Sequence, residues 1–218
     1  MGGWWATNLW DQNPVLLVGW VVWLIGSITL HELAHGWAAI RCGDRTPIET
    51  GHMTWNPIVH MGTASIIMFA LVGVAFGRMP VSPHRFRGRY DDAIVAGAGP
   101  AMNLGLAIFC LIAYVVWTTI VRIANVGEPF ASNFATFLRL GGALNIALIV
   151  LNMLPVPPLD GSRILANFDA GYARLIYHPN SMTIGFVAVI ALIVFGSQYL
   201  WMIAFGAFDA VAALAAVI

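Results

Sequence analysis

The sequence predicts an all-α polytopic membrane protein, and three observations carry that reading. Hydrophobic residues make up 60% of the 218-residue chain and charged residues 9%, against about 25% charged in soluble domains. The mean hydropathy is +0.81. Five apolar blocks, at about 15–40, 61–76, 93–120, 135–154 and 182–218, approach or exceed the ~20 residues that cross a hydrocarbon layer of about 30 Å. The formal net charge is zero, which gives no ground for nucleic acid or an acidic partner. No repeat or soluble segment of useful size interrupts the pattern, so residues 1–218 read as a single membrane-embedded domain. Nothing in the residues fixes an oligomeric state.

Taken in order, the N-terminal "MGGWWATNLWDQNP" lacks the basic region and cleavage site of a secretory signal. Its Trp4, Trp5 and Trp10 suit the headgroup level of a bilayer, where indole rings are enriched. The block at 15–40 reads as a spanning helix. The polar stretch after it, "RCGDRTPIETGHMTWNP", sets Thr, Ile and Trp between turn residues, a weak signal for a short β-hairpin. The block at 61–76 is short and holds Gly62 and Gly73, so it predicts a re-entrant or interfacial segment rather than a crossing. Asp91 and Asp92 open the long helix at 93–120 as its cap and first-turn charges. The block at 135–154 is a further span. The last block is long enough for two elements, with "FGSQYL" at 195–200 as the expected break. Cys42 and Cys110 form no CxxC and read as packing residues.

The first span raises a chemical question. Its first sixteen residues, 15–30, carry no charge and amount to about 24 Å of helix, yet "HELAH" follows. Ionisable groups at such depth are costly and survive where something pairs with them or uses them. On a helix, H-E-x-x-H sets His31 and His35 one turn apart on one face, so both imidazoles can reach a single ion. Glu32 then sits where a carboxylate can take a proton from a water activated by that ion. Catalytic zinc takes three protein ligands and leaves a position for water. Among the few acids, Asp160 in "LNMLPVPPLDGSR" follows an apolar helix. Pro155, Pro157 and Pro158 force extended chain there, at or near membrane depth. Such backbone is tolerated only when buried in protein or lining a wet cavity. Taken alone, the segment reads as a plain Asp-Gly turn at the membrane surface.

Together, "HELAH" and "NMLPVPPLDG" resemble the paired signature of the site-2 proteases, the zinc-dependent intramembrane metalloproteases, whose second motif is N-x-x-P-x-x-x-L-D-G. "AGAGPAMN" at 96–103 is similar to the family's G-P-x-x-N, and "MTWNPIVHMGT" at 53–63 to a compact bacterial branch. The resemblance covers residues 27–165. It implies Zn2+ held by His31, His35 and Asp160, with Glu32 as general base, in hydrolysis of a peptide bond within or near a transmembrane segment of a protein substrate. It also implies that Asn152 contacts substrate backbone or the oxyanion; the other reading is an amide capping the broken helix. Asn103, after Gly99 and Pro100, carries the same substrate or oxyanion expectation, set against close helix packing by small residues. His52, His60, His84 and His178 lie in or beside loops and are not expected as ligands. No stretch is left for a PDZ or other accessory soluble domain. The competing classes are a zinc enzyme acting on a non-protein substrate and a non-catalytic metal-binding scaffold. Glu32 argues against the scaffold, which has no need of a base beside its ligand.

For His31 and His35, late in their span, to meet Asp160, which follows the span at 135–154, the two spans must run in the same direction. An odd number of return crossings must separate them. With 61–76 not crossing, Arg41, Arg45, Arg78, Arg85, Arg87, Arg89, Arg163 and Arg174 all fall on one face. The positive-inside rule marks that face as cytoplasmic. The expectation is therefore a multi-pass protein of the cell membrane, with a core of three transmembrane helices, additional helices, and an active site nearer the cytoplasmic face.

Overall fold

The structure, a computed structural model, describes residues 3–215. In chain order the helices are α1 (Trp5–Gln12), α2 (Pro14–Arg41), α3 (Thr46–Glu49), α4 (Pro57–Val72), α5 (Asp91–Ala124), α6 (Phe130–Asn152), α7 (Asp160–Phe168), α8 (Ala170–Ile176) and α9 (Ser181–Ala215). Among the described residues α2, α5, α6 and α9 are long and apolar enough to cross a membrane, in agreement with the polytopic all-α reading.

Side-chain pairings give the directions. α2 and α6 run parallel: Trp23 Nε1 of α2 donates to Phe137 O of α6 at 2.9 Å, and further along both helices Ile28 and His31 face Leu148 and Asn152 across one cavity. α5 returns between them, its Val95 meeting His35 and its Asn103 meeting His31. α9 descends against α6, with Gly185 under Pro157 at one end and Asp209 paired to Arg139 at the other. One return crossing thus separates the histidines from Asp160, as the sequence required. Small residues let these helices close up: Ala143, Ala147 and Ala204 are buried together, and Phe208 packs over Gly142. Large apolar side chains such as Phe195 and Leu214 point outward, which suits lipid as the surrounding solvent.

α4 is the re-entrant segment. It starts beside the end of α2, where Trp55 and Trp37 lie edge to face at 6.5 Å. It kinks at Gly62, where φ is 64°, and reaches the level of Trp20, whose Nε1 donates to Gly73 O at 2.8 Å. The chain then comes back extended until Met79 lies against Gly36. Both ends of the excursion therefore sit on the same face.

Two expectations are corrected. The stretch after α2 forms α3 and turns, and no strand occurs among the described residues. Here the buried Asp44 carboxylate accepts from Thr46 N at 2.9 Å and from Ser82 N at 2.6 Å. Pro47 lies in the first helical turn, where a missing N–H costs nothing. The second correction is at "FGSQYL", which does not break α9. Gly196 costs a helix only about 1 kcal/mol, and Asp209 further along is held by Arg139 at 2.7 Å.

Candidate metal centre

Three elements deliver the site. α2 is continuous through "HELAH", so His31 and His35 share a face, their rings 4.6 Å apart and nearly perpendicular. α6 ends at Asn152, the proline-rich turn follows, and Asp160 opens α7. Arg163 of α7 pairs with Asp92 of α5 at 2.5 Å, which ties the Asp160 turn back to the bundle. Asp91 and Asp92 both lie in the first turn of α5, as expected, but the cap position is Tyr90 and neither carboxylate caps the helix; Asp91 instead accepts from Gly88 N at 2.7 Å in the preceding turn. His31, Glu32, His35 and Asp160 are each only 5–8% exposed.

The three ligand atoms converge. His31 Nε2 lies 3.0 Å from His35 Nε2 and 3.1 Å from Asp160 Oδ2, and His35 Nε2 lies 3.4 Å from the same oxygen. Donors about 2.0–2.1 Å from a tetrahedral ion sit about 3.3 Å from one another, so the spacing fits one cation.

The hydrogen bonds behind the rings settle which nitrogens carry protons. Val95 O can only accept, so His35 Nδ1–H donates to it at 2.7 Å. Behind His31 runs a longer chain. Asn145 Nδ2 donates to Gly141 O at 2.9 Å, which leaves Asn145 Oδ1 to accept from Asn103 Nδ2 at 2.8 Å. Asn103 Oδ1 then accepts from His31 Nδ1–H at 2.5 Å. A carbonyl at the far end thus fixes the polarity of the whole chain. With Nδ1 protonated on both rings, the neutral form of each keeps its lone pair at Nε2, aimed at the other ring and at a carboxylate oxygen. In that form the three donors repel unless a cation lies between, and that is the chemistry of a metal site.

Gly99 of α5 completes the pocket. A Cβ there would come within 2.5 Å of His35 Nε2 and nearer still to His31 Nε2, so only glycine leaves the space open. The site opens onto a cavity of about 1000 Å³, walled by α2, α4 with its return arm, the end of α6 and one face of α9. Glu32 lies on that wall, against Gly77, whose Cβ would fall 2.5 Å from Glu32 Oε1.

His31, Glu32, His35 and Asp160 are therefore brought to one place. Asn152 lines the same cavity, and its Nδ2 donates to Leu148 O at 3.0 Å within α6. Asn103 is fully buried with its carbonyl on His31 and its amide on Asn145. That places it behind a ligand and away from substrate. Asn145 escaped the sequence reading; the available signal was a lone amide in the middle of an apolar span.

Two imidazoles and a carboxylate converging with a glutamate beside them, inside a bundle of apolar helices long enough to span a membrane, make the donor set of a membrane-embedded metal-dependent hydrolase. Residues 19–196 match peptidase family M50, and the chain belongs to that family, the site-2 proteases. It is 32% identical to YwhC of Bacillus subtilis over 83% of each chain. It is 30% identical to Rip2 of Mycolicibacterium smegmatis, over 67% of this chain and 54% of Rip2. Both relatives are named as zinc metalloproteases. With the regulator of sigma-E protease RseP of Escherichia coli it shares 29% identity, over 72% of this chain and 36% of RseP. The chain thus spans about half of Rip2 and about a third of RseP. No solved structure matches it.

Proposed function

We propose that this chain is a zinc endopeptidase that cuts a peptide bond within or near a transmembrane segment of another membrane protein. The observation that carries the reading is the convergence of two imidazole nitrogens and a carboxylate oxygen on one point, with Glu32 on the wall of the same apolar cavity. His31, His35 and Asp160 hold the ion. Zinc bound there supplies Lewis acidity to a water molecule, whose pKa falls from about 15.7 to near 7, and to the scissile carbonyl.

Glu32 takes the proton of the attacking water as general base and delivers it to the leaving amine as general acid. Asn103 and Asn145 hold His31 in the tautomer that keeps Nε2 free. Val95 does the same for His35. Asn152, on the cavity wall, contacts the substrate backbone. A helical substrate has its peptide groups bonded internally and must unwind before it can be attacked. An apolar cavity with a polar end accommodates such a segment while shielding it from lipid. The whole chain acts as one domain, and the bias of eight of its ten arginines to the face nearer the site supports a cytoplasmic orientation of that face.

Glu32→Gln tests the reading. The variant should keep zinc and lose cleavage. If it loses neither, Glu32 is not the base; if wild-type chain binds zinc and cleaves no membrane protein, the site is a scaffold.

A further inference from the structure

Helix α4 ends at Val72, at the level of Trp20 in the first third of α2 and beside the start of α1. The last carbonyls of a helix have no partner within it, and hydrocarbon offers no water to replace one. Gly73 closes the helix with φ at 75° and its N–H on Phe69 O at 2.9 Å. Tryptophans supply donors to two further carbonyls at this tip. Trp4 Nε1 and Trp5 Nε1 both donate to Ala70 O, at 2.9 and 3.1 Å, and Trp20 Nε1 donates to Gly73 O at 2.8 Å. The Trp5 ring also packs on Phe69, centroids 5.4 Å apart, and lies so close over Gly73 that a Cβ would fall 2.8 Å from Trp5 Cδ2. Only glycine allows both the left-handed turn and the ring above it.

Beyond this tip the return arm forms a wall of the substrate cavity. Phe76 N donates to Ser65 Oγ at 2.8 Å, Gly77 lies against Glu32, and Arg78 N donates to His60 O at 2.9 Å. The depth of the tip therefore sets where Gly77 stands relative to Glu32. Trp4 and Trp5, which suit the headgroup level by sequence, both bond a backbone carbonyl of the re-entrant element.

We infer that Trp4, Trp5 and Trp20 form a clasp that fixes the depth of the re-entrant element, and that they are positioning residues for the reaction. They act through residues 74–78 on Glu32 and the substrate cavity, without touching the metal ligands. The consequence for cleavage rests on the protease reading above; the clasp itself does not.

The test uses the full zinc-loaded chain in lipid nanodiscs, with hydrogen–deuterium exchange read over residues 69–78. Trp4→Phe/Trp5→Phe keeps both rings and deletes both donors to Ala70 O. Exchange over 69–78 should accelerate about tenfold or more, while zinc content and the protection of α5 and α6 stay at wild-type values. Cleavage of a dye-labelled single-span peptide co-reconstituted in the same nanodiscs should fall about tenfold in kcat/KM. Each single variant leaves one bond on Ala70 O, so the double should exceed the sum of the singles. Trp10→Phe, on the same helix, should match wild type.

Unchanged exchange over 69–78 in the double variant overturns the clasp. Faster exchange with unaltered cleavage overturns its positioning role. Zinc loss with exchange raised throughout also overturns it, as global unfolding. A wild-type chain that cleaves nothing counts against the protease reading alone, since exchange reports the clasp without a substrate.

Discussion

Replacing Asn103 with alanine removes one carboxamide and strands two partners, His31 Nδ1–H and Asn145 Oδ1, in a fully buried place. Each stranded group costs about 1–3 kcal/mol. The His31 ring loses the contact that fixes its orientation and its tautomer, and loss of such an outer partner weakens metal binding about 10–100-fold. That is about 1.4–2.7 kcal/mol, the same size as the cost of one stranded group. Asn145→Leu is milder, because Asn103 Oδ1 still accepts from His31 and only Asn103 Nδ2 is left unpaired. Zinc affinity, measured by competition with a chromophoric chelator on the metal-stripped chain, should therefore rank wild type above Asn145→Leu above Asn103→Ala. Wild-type affinity in Asn103→Ala, or a larger loss in Asn145→Leu, would refute the directional chain behind His31.

Other outcomes follow from single contacts. Gly99→Ala should push a methyl between the two Nε2 atoms, abolishing zinc uptake by metal analysis and costing about 1–3 kcal/mol in a melting assay. At Asp44, burial alone would raise the carboxyl, but hydrogen bonds from the Thr46 hydroxyl and the Ser82 and Thr46 N–H groups, with Arg85 nearby, hold it below its ordinary value. A carboxylate depressed in the folded state stabilises the fold above the unfolded value of about 3.9 and gives that up as pH falls through the folded value. The melting temperature should thus fall as pH drops below about 4. Asp44→Asn should flatten that dependence and lower stability at neutral pH by about 1–3 kcal/mol.

Much of the site was legible because its chemistry is written in short spacings. "HELAH" needs only a helix to present His31 and His35 together, and an ionisable cluster inside an apolar span already demanded a partner. Asp160 was legible only through resemblance, since an Asp-Gly after prolines is by itself an ordinary turn. The re-entrant segment could be read from its length and from the direction the flanking spans had to take. What stayed hidden depends on contacts between distant residues. Asn145 looks like any amide until Asn103 and His31 meet it, and nothing local to Trp4 reveals that its indole N–H meets the Ala70 carbonyl. "FGSQYL" looked like a break because local composition does not reveal that Arg139 waits for Asp209. The hairpin expectation failed for the same reason: Asp44 reaches two segments and organises turns where a strand pair would have needed a partner.

The central claim is that two imidazoles and the Asp160 carboxylate hold one ion within the membrane domain. Zinc-edge X-ray absorption, with metal stoichiometry, on the purified chain and on Asp160→Ala tests it most directly. The expected result is about one zinc per chain in wild type, with imidazole and oxygen neighbours at about 2.0–2.1 Å, and loss of the metal in the variant. Zinc retained at wild-type stoichiometry with an unaltered spectrum in Asp160→Ala would contradict it.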